Sequence, residues 1–296
     1  MKLIEHLKLK SNPWKKDFKE EGLMLPINFH KTFIPERHLI TALLEYAALG
    51  KEGTIHEMAE DTGIPMGKYS GKMQAIIAYC RGMGLITVEP GRDKKYKKPT
   101  LTQLGEAIIL NDKHLGEPLS QWLVHMNLCR NDIGAKAWHK VFAEGRDVLG
   151  VSFTAEQLES YLVDYFGKGR NRTGPLVSAY TDDAALGRAK VLTVKDMVIT
   201  RHKAPIIPSW ATAYSAMIIE LLESHFPGQA QVTLTEFTEK TNWFNVCLWH
   251  DSDIEAAFSL IEIKGFVVLD RQIRPWILEK KARAQDVWPH VFDDIA

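Results

Sequence analysis

The sequence predicts a mainly α-helical protein with an N-terminal winged helix-turn-helix, a helical middle and a second winged-helix-like unit at its C-terminal end. Three observations lead there. Apolar residues recur at helical spacing through most of the chain. Between residues 36 and 101 a helix, a short helix, a glycine turn, a longer helix and a strand–turn–strand pattern follow one another. That order of turn, helix and hairpin signals then returns between about 231 and 280.

Each element has its own local cause. In the segment 36–50, Leu39, Ile40, Leu43, Leu44, Ala47 and Ala48 recur at helical spacing, closed by Gly50. Thr54 supplies a cap for TIHEMAED, where Ile55, Met58 and Ala59 face inward. Gly63 suits a left-handed turn and Pro65 prevents that helix from continuing. A helix over about 66–82 carries Tyr69, Met73, Ile76, Ile77 and Cys80 at spacings of three and four. GLITVEP, the basic turn GRDKKYKKP and PTLTQLG read as strand, turn and restart. GEPLSQWLVHMNLC, GAKAWHKVFAE and TAEQLESYLVDYF continue as helices, and GKGRNRTGP is a polar break and hinge. SWATAYSAMIIELLESHF is a long helix stopped before Pro227-Gly228. DSDIEAAFSLIEIKG is a helix with Ile254, Ala257, Phe258 and Ile261 inward, and FVVLDRQIRPWILE reads as strand, turn, strand. The expected division is an arm over 1–28, a winged helix-turn-helix domain over 29–112, a helical middle over 113–205 and a winged-helix-like domain over 206–296.

Composition narrows the function classes. With 296 residues, 45% apolar and 25% charged, the chain can build sizeable cores. The formal net charge is zero, so affinity for nucleic acid has to come from a local patch. Three separated cysteines, Cys80, Cys129 and Cys247, suit a reducing compartment better than disulfides or zinc. The first residues lack the apolar run of a signal peptide, and no stretch is long and apolar enough to span a bilayer. The expectation is a cytoplasmic protein.

The stretch GIPMGKYSGKMQ carries two Gly-Lys pairs ahead of an apolar helix, which suits an anionic oxygen. A phosphate-binding loop of the P-loop type fails on three counts. Thr62 stands where the first glycine belongs, Tyr69 where the magnesium-binding hydroxyl belongs, and the preceding segment is helical. A nucleic-acid backbone fits better. With Tyr69, Met73, Ile76 and Cys80 inward, the opposite face presents Lys68, Lys72, Ala75 and Tyr79. Lys68 and Lys72 would meet phosphates, Ser70 or Gln74 a base, and the wing adds Arg92, Lys94, Lys95, Lys97 and Lys98. Such a five-cation turn also occurs as a plain solvated loop, and winged helices also serve as protein-interaction modules. Lys168, Arg170 and Arg172 in the hinge either extend the same surface or form an ordinary exposed loop.

No local pattern argues for catalysis. There is no HExxH, no GxSxG and no evident base beside a cysteine in sequence. Asp251 and Asp253 cap a following helix, Asp182-Asp183 reads as a helix start, and His125 and His139 sit in amphipathic helices. No metal or cofactor is expected.

FHKTFIPERHLITALLEYA resembles the opening of an uncharacterised bacterial winged-helix domain family, at His30, Thr32, Phe33 and Arg37. The similarity continues through Gly67-Lys68, KPTLTQLGEAIILND, LGEPLSQWLVHMNLC and AKAWHKVF, and spans roughly 29–280. Glu36, His38 and the Ser-Gly step after Tyr69 depart from the family pattern. Genes of that family lie beside phosphosulfate-reductase-like genes in DNA phosphorothioation and phage-defence islands. The resemblance therefore implies a DNA-associated accessory role in defence or DNA modification. His30, Thr32 and Arg37 are read as anchors of the first helix rather than as a site.

The leading expectation is a non-catalytic accessory or regulatory protein that binds double-stranded DNA, in company with other proteins of such a system. The rival is an adaptor that assembles a partner enzyme complex, with Trp122, Trp138 and Trp210 as interface anchors if they are not simply core. A third reading is a regulator with a small ligand held near 167–175.

Overall fold

Two short strands and one isolated β-bridge, each running straight into a capped helix, set the plan of the molecule. The computed structural model describes residues 24–66, 71–169 and 172–295. In the first unit α1 (Arg37–Ala48), α2 (Ile55–Thr62) and α3 (Lys72–Gly82) precede the hairpin β1 (Ile86–Pro90) and β2 (Lys97–Leu101). Gly53 forms an isolated antiparallel bridge with Lys97. The residue after it, Thr54, closes a capping box with Glu57, and Gly63 ends α2 with φ 67°.

The second unit begins at β3 (Ser152–Thr154) and continues through α6 (Ala155–Phe166) and α7 (Thr173–Thr181) to β4 (Leu192–Lys195) and β5 (Val198–Arg201). The helices α4 (Gln103–Asn111) and α5 (Pro118–Leu128) lie between the first two units. The third follows the long helix α8 (Ala211–His225): β6 (Gln231–Thr233), α9 (Leu234–Thr241), α10 (Asp251–Ile261), β7 (Val267–Asp270) and β8 (Ile277–Lys280). Strand order is β3-β5-β4 in one sheet and β6-β8-β7 in the other, both antiparallel. The entering element thus pairs with the second hairpin strand in all three units. Thr154 with Gln157 and Thr233 with Glu236 repeat the Thr54–Glu57 box.

Helices therefore dominate and are joined by small antiparallel sheets. The region expected to be helical, 113–205, carries its own three-stranded sheet, which corrects the sequence reading. The cause is local: β-branched VLTVKDMVIT alternates about a tight Asp196-Met197 turn, both residues at positive φ. Asp182-Asp183 is not a helix start either. It follows the end of α7 and makes a turn in which Asp182 Oδ1 accepts from the Ala184 amide at 2.8 Å.

The buried residues of all these elements form one continuous core running from Leu25 to Phe292. Trp122, Trp138 and Trp210 all lie within it, as packing residues. Close backbone approach is tightest at Gly105, at the start of α4. A Cβ there would stand 2.1 Å from the Leu85 carbonyl oxygen, which also accepts from the Thr102 amide. Gly105→Ala is expected to cost about 2–3 kcal/mol through overpacking. Urea unfolding checks it, and a variant as stable as the parent would refute the contact.

Candidate nucleic-acid interface

The helix α3 was expected to bury one face and show the other. It buries both. Ala75 and Tyr79, placed by the sequence on an outer row, are 0% exposed. Residues 24–36 cross that side of the helix. The Tyr79 hydroxyl donates to the Phe33 carbonyl at 3.1 Å, and its ring packs edge-on against Phe29 and Trp138. Leu25 continues the same strap, with its amide donating to the Gly134 carbonyl at 2.7 Å.

The strap explains the motif at its end. His30 is buried, and its Nδ1 accepts from the Thr32 amide at 3.1 Å. Burial pushes its imidazole down to about 4, so the ring is neutral. Arg37 Nη2 donates to the Asp183 carbonyl at 2.7 Å and Nη1 to the His114 carbonyl at 3.2 Å. These contacts tie α1 to distant loops, in line with an anchoring role.

The strap also decides the fate of the lysine row. Lys72 Nζ lies 2.7 Å from Glu36 Oε1 and over the Phe33 ring, with its side chain 18% exposed. A phosphate would have to displace that pair. Gln74 is half-buried, and its Oε1 finds no hydrogen-bond donor among the described residues. Gly67, Lys68, Tyr69 and Ser70 lie outside the described residues.

The hairpin of β1 and β2 leaves three of its lysines in water. Lys94, Lys95 and Lys98 are exposed, and none of the three has an ion-pair partner among the described residues. Their platform is braced. The Gly91 amide donates to the Tyr96 carbonyl, and the Lys95 amide to Asp93 Oδ1 at 2.7 Å. The Arg92 guanidinium lies 3.8 Å above the Tyr96 ring, and its amide donates to Glu52 Oε2. Tyr96 in turn donates to Glu57 Oε1 at 3.4 Å, so the turn is fastened to the start of α2. Lys97 exchanges both backbone hydrogen bonds with Gly53 and is half-buried. The other two hairpins differ at their turns, which read Asp196-Met197 and Arg271-Gln272-Ile273-Arg274.

Of the basic hinge, Lys168 is exposed but Arg172 cannot extend this surface. Arg172 is 5% exposed, and its guanidinium donates to the Gly167 and Leu162 carbonyls that end α6. Arg170 lies outside the described residues.

One pairing escaped the sequence reading although its spacing is helical. Cys129 Sγ sits 3.7 Å from His125 Nδ1, which also meets the Tyr180 hydroxyl at 2.6 Å. Burial raises the thiol far above its ordinary value and lowers the imidazole to about 3, so both stay neutral. Completely buried, the pair has packing and hydrogen bonding as its evident work. His139 is likewise packed, its Nδ1 2.7 Å from the Cys129 carbonyl. Asp253 accepts from the His250 amide at 3.0 Å as the capping partner expected there, whereas Asp251, expected to cap as well, is the first residue of α10, and His250 holds the cap position. Among the described residues no three His, Cys, Asp or Glu side chains group so as to hold a metal ion, and no helix is long and apolar enough to cross a membrane.

Residues 70–186 match a family described as Protein of unknown function (DUF4007). No curated protein matches the chain by sequence. Among solved structures, the SspB crystal structure has a TM-score of 0.65 at 15% identity, covering 93% of this chain and 88% of that one. The magnesium ion-bound SspB crystal structure gives 0.64 with the same identity and coverage. The likeness is one of fold: this chain and SspB share their architecture along most of both lengths.

Proposed function

We propose that this protein is a DNA-associated accessory or regulatory component of a bacterial DNA-modification or phage-defence system, without a catalytic step of its own. In this reading the first unit is a winged helix that meets duplex DNA through its hairpin. The observation that carries the proposal is a group of exposed lysines without an ion-pair partner among the described residues, Lys94 and Lys95 on a turn braced by Arg92, Tyr96 and Asp93, and Lys98 beside it on β2. A rigid cationic loop loses little side-chain freedom beyond the lysines themselves when it meets phosphates. The SspB-like fold and the resemblance to a family found in phosphorothioation islands support the biological setting.

Lys68 and Ser70 enter the proposal from the sequence alone. Lys72 and Gln74 leave it, because one is committed to Glu36 and the other is half-buried. The contact then comprises about four cations, and the logarithm of affinity should fall with log salt at a slope of about −3 to −4. In a mobility-shift titration with duplex DNA, Lys94→Glu/Lys95→Glu/Lys98→Glu is expected to weaken binding at least about a hundredfold at low salt and to flatten that slope. Equal binding by this variant would remove the hairpin from the interface. A second reading, a protein adaptor, draws on a different surface in the third unit.

A further inference from the structure

The third unit repeats the plan of the first with the opposite electrostatic character. Between α9, α10 and the tip of its hairpin lies a cleft of about 640 Å³. Leu234, Ile254 and Trp276 give it apolar walls, while Glu239, Asp251 and Glu255 line its helical side. None of these three carboxylates is held in an ion pair or side-chain hydrogen bond among the described residues. Neighbouring acids are committed elsewhere: Asp253 to Lys203 at 2.6 Å and Glu262 to Arg271 at 2.8 Å. On the hairpin side Arg274 also lines the cleft, its guanidinium 5.0 Å from the Trp276 ring. Three carboxylates against one guanidinium leave the cleft net negative.

Charge decides what can enter. In the first unit the helix before the hairpin begins with Lys72, whereas here it begins with Asp251 and carries Glu255 one turn on. A phosphate backbone laid on this face would meet three unscreened carboxylates. A lysine or arginine side chain has the complementary sign, and its methylene stem has apolar walls to lie against. The indole ring adds a flat surface of the kind that anchors protein contacts.

We propose that this cleft docks a basic segment of a partner protein, with a lysine or arginine seated among Glu239, Asp251 and Glu255 and an adjacent apolar residue against Trp276. The site is separate from the cationic hairpin, so its failure and that of the DNA proposal are distinguishable. The test uses the full chain on an array of short peptides graded in charge from acidic to basic, with and without apolar residues. Retention of basic peptides is expected, weakened by salt and reduced about tenfold in Glu239→Gln/Asp251→Asn/Glu255→Gln, with duplex binding unchanged. Because all three side chains are exposed, the variant should melt with the parent. No retention, retention without regard to charge, or retention unaltered in the variant overturns the proposal. So does a change in DNA affinity in that variant, which would make the cleft part of a nucleic-acid surface.

Discussion

Replacing Arg130 by methionine is expected to lower the unfolding free energy by about 3 kcal/mol, the lower end of the range for breaking a buried ion pair. Arg130 lies two residues beyond α5, with its side chain 5% exposed. Its Nε and Nη2 donate to Asp132 at 2.8 and 2.6 Å, and Nη1 donates to Glu220 and to Asn127. Ser224 donates to Asp132 at 2.7 Å, and the Trp288 indole donates to Glu220 at 2.8 Å. One guanidinium therefore joins the end of α5 to α8 and, through Glu220, to the C-terminal turn. Burial alone would raise the Asp132 carboxyl, but its hydrogen bonds and ion pair with Arg130 outweigh that and hold it well below the usual carboxylate range. Without Arg130 both carboxylates lose their cation, and each keeps only weaker donors, Ser224 and the Ile133 amide for Asp132 and the Trp288 indole for Glu220. Partial access to water, 21% for Asp132 and 29% for Glu220, keeps the loss from being larger. Arg130→Lys should fall between parent and methionine, since it keeps the charge and loses the fork. Urea unfolding measures all three, and a loss under about 1 kcal/mol for the methionine variant would mean the network behaves as an exposed pair.

The second large effect is an acid-side loss of stability that begins well above the carboxylate range. His30 is held down to about 4 by burial, and His125 to about 3 by burial and by the Arg201 guanidinium. That cation is itself buried, lowered to about 10 by burial and then by the neighbouring Arg146 charge, and held by the Phe142 and Asn245 carbonyls. Both histidines have folded values below the ordinary 6.5. Their contribution is fully present above about pH 6.5. Below it the unfolded chain takes up protons that the folded protein refuses, so stability falls with pH. Each histidine gives a slope of about 1.4 kcal/mol per pH unit, and the two together about 3–4 kcal/mol between pH 7 and 5. That is a large share of the 5–15 kcal/mol typical of a folded protein. Urea midpoints across this range test it, and His125→Gln, which cannot charge, should remove about half of the slope. An unchanged slope in that variant would show that His125 titrates in the folded state.

Much of the local structure was legible because its causes sit within a few residues of their effects. Thr54 and Glu57 are three apart, and Gly63 needs only its own missing Cβ to end α2. Ile254, Ala257, Phe258 and Ile261 are buried as their spacing requires. The middle unit was equally open to view. Its Thr154–Gln157 box has the form of Thr54–Glu57 and Thr233–Glu236, and an alternating strand pair follows. Read as three occurrences of one signature, the boxes mark all three units.

The candidate site divides along the same line. The lysine content of the first hairpin is a property of consecutive residues, and exposure follows from its being a turn. Whether Lys72 faces water depended on residues far away in sequence. Helical periodicity says that Ala75 and Tyr79 share a face, and it is silent on what covers that face.

The amino-acid order by itself determined the helices, their caps, the hairpins and the charge carried by each turn, because these follow from interactions across three or four positions. Only the tertiary structure decided that 24–36 roofs α3 and ties up Lys72, that Arg172 is buried, and that Glu239, Asp251 and Glu255 meet Trp276 across one cleft. Those outcomes rest on contacts between segments tens of residues apart, where the sequence supplies complementary surfaces and the fold alone selects which of them touch.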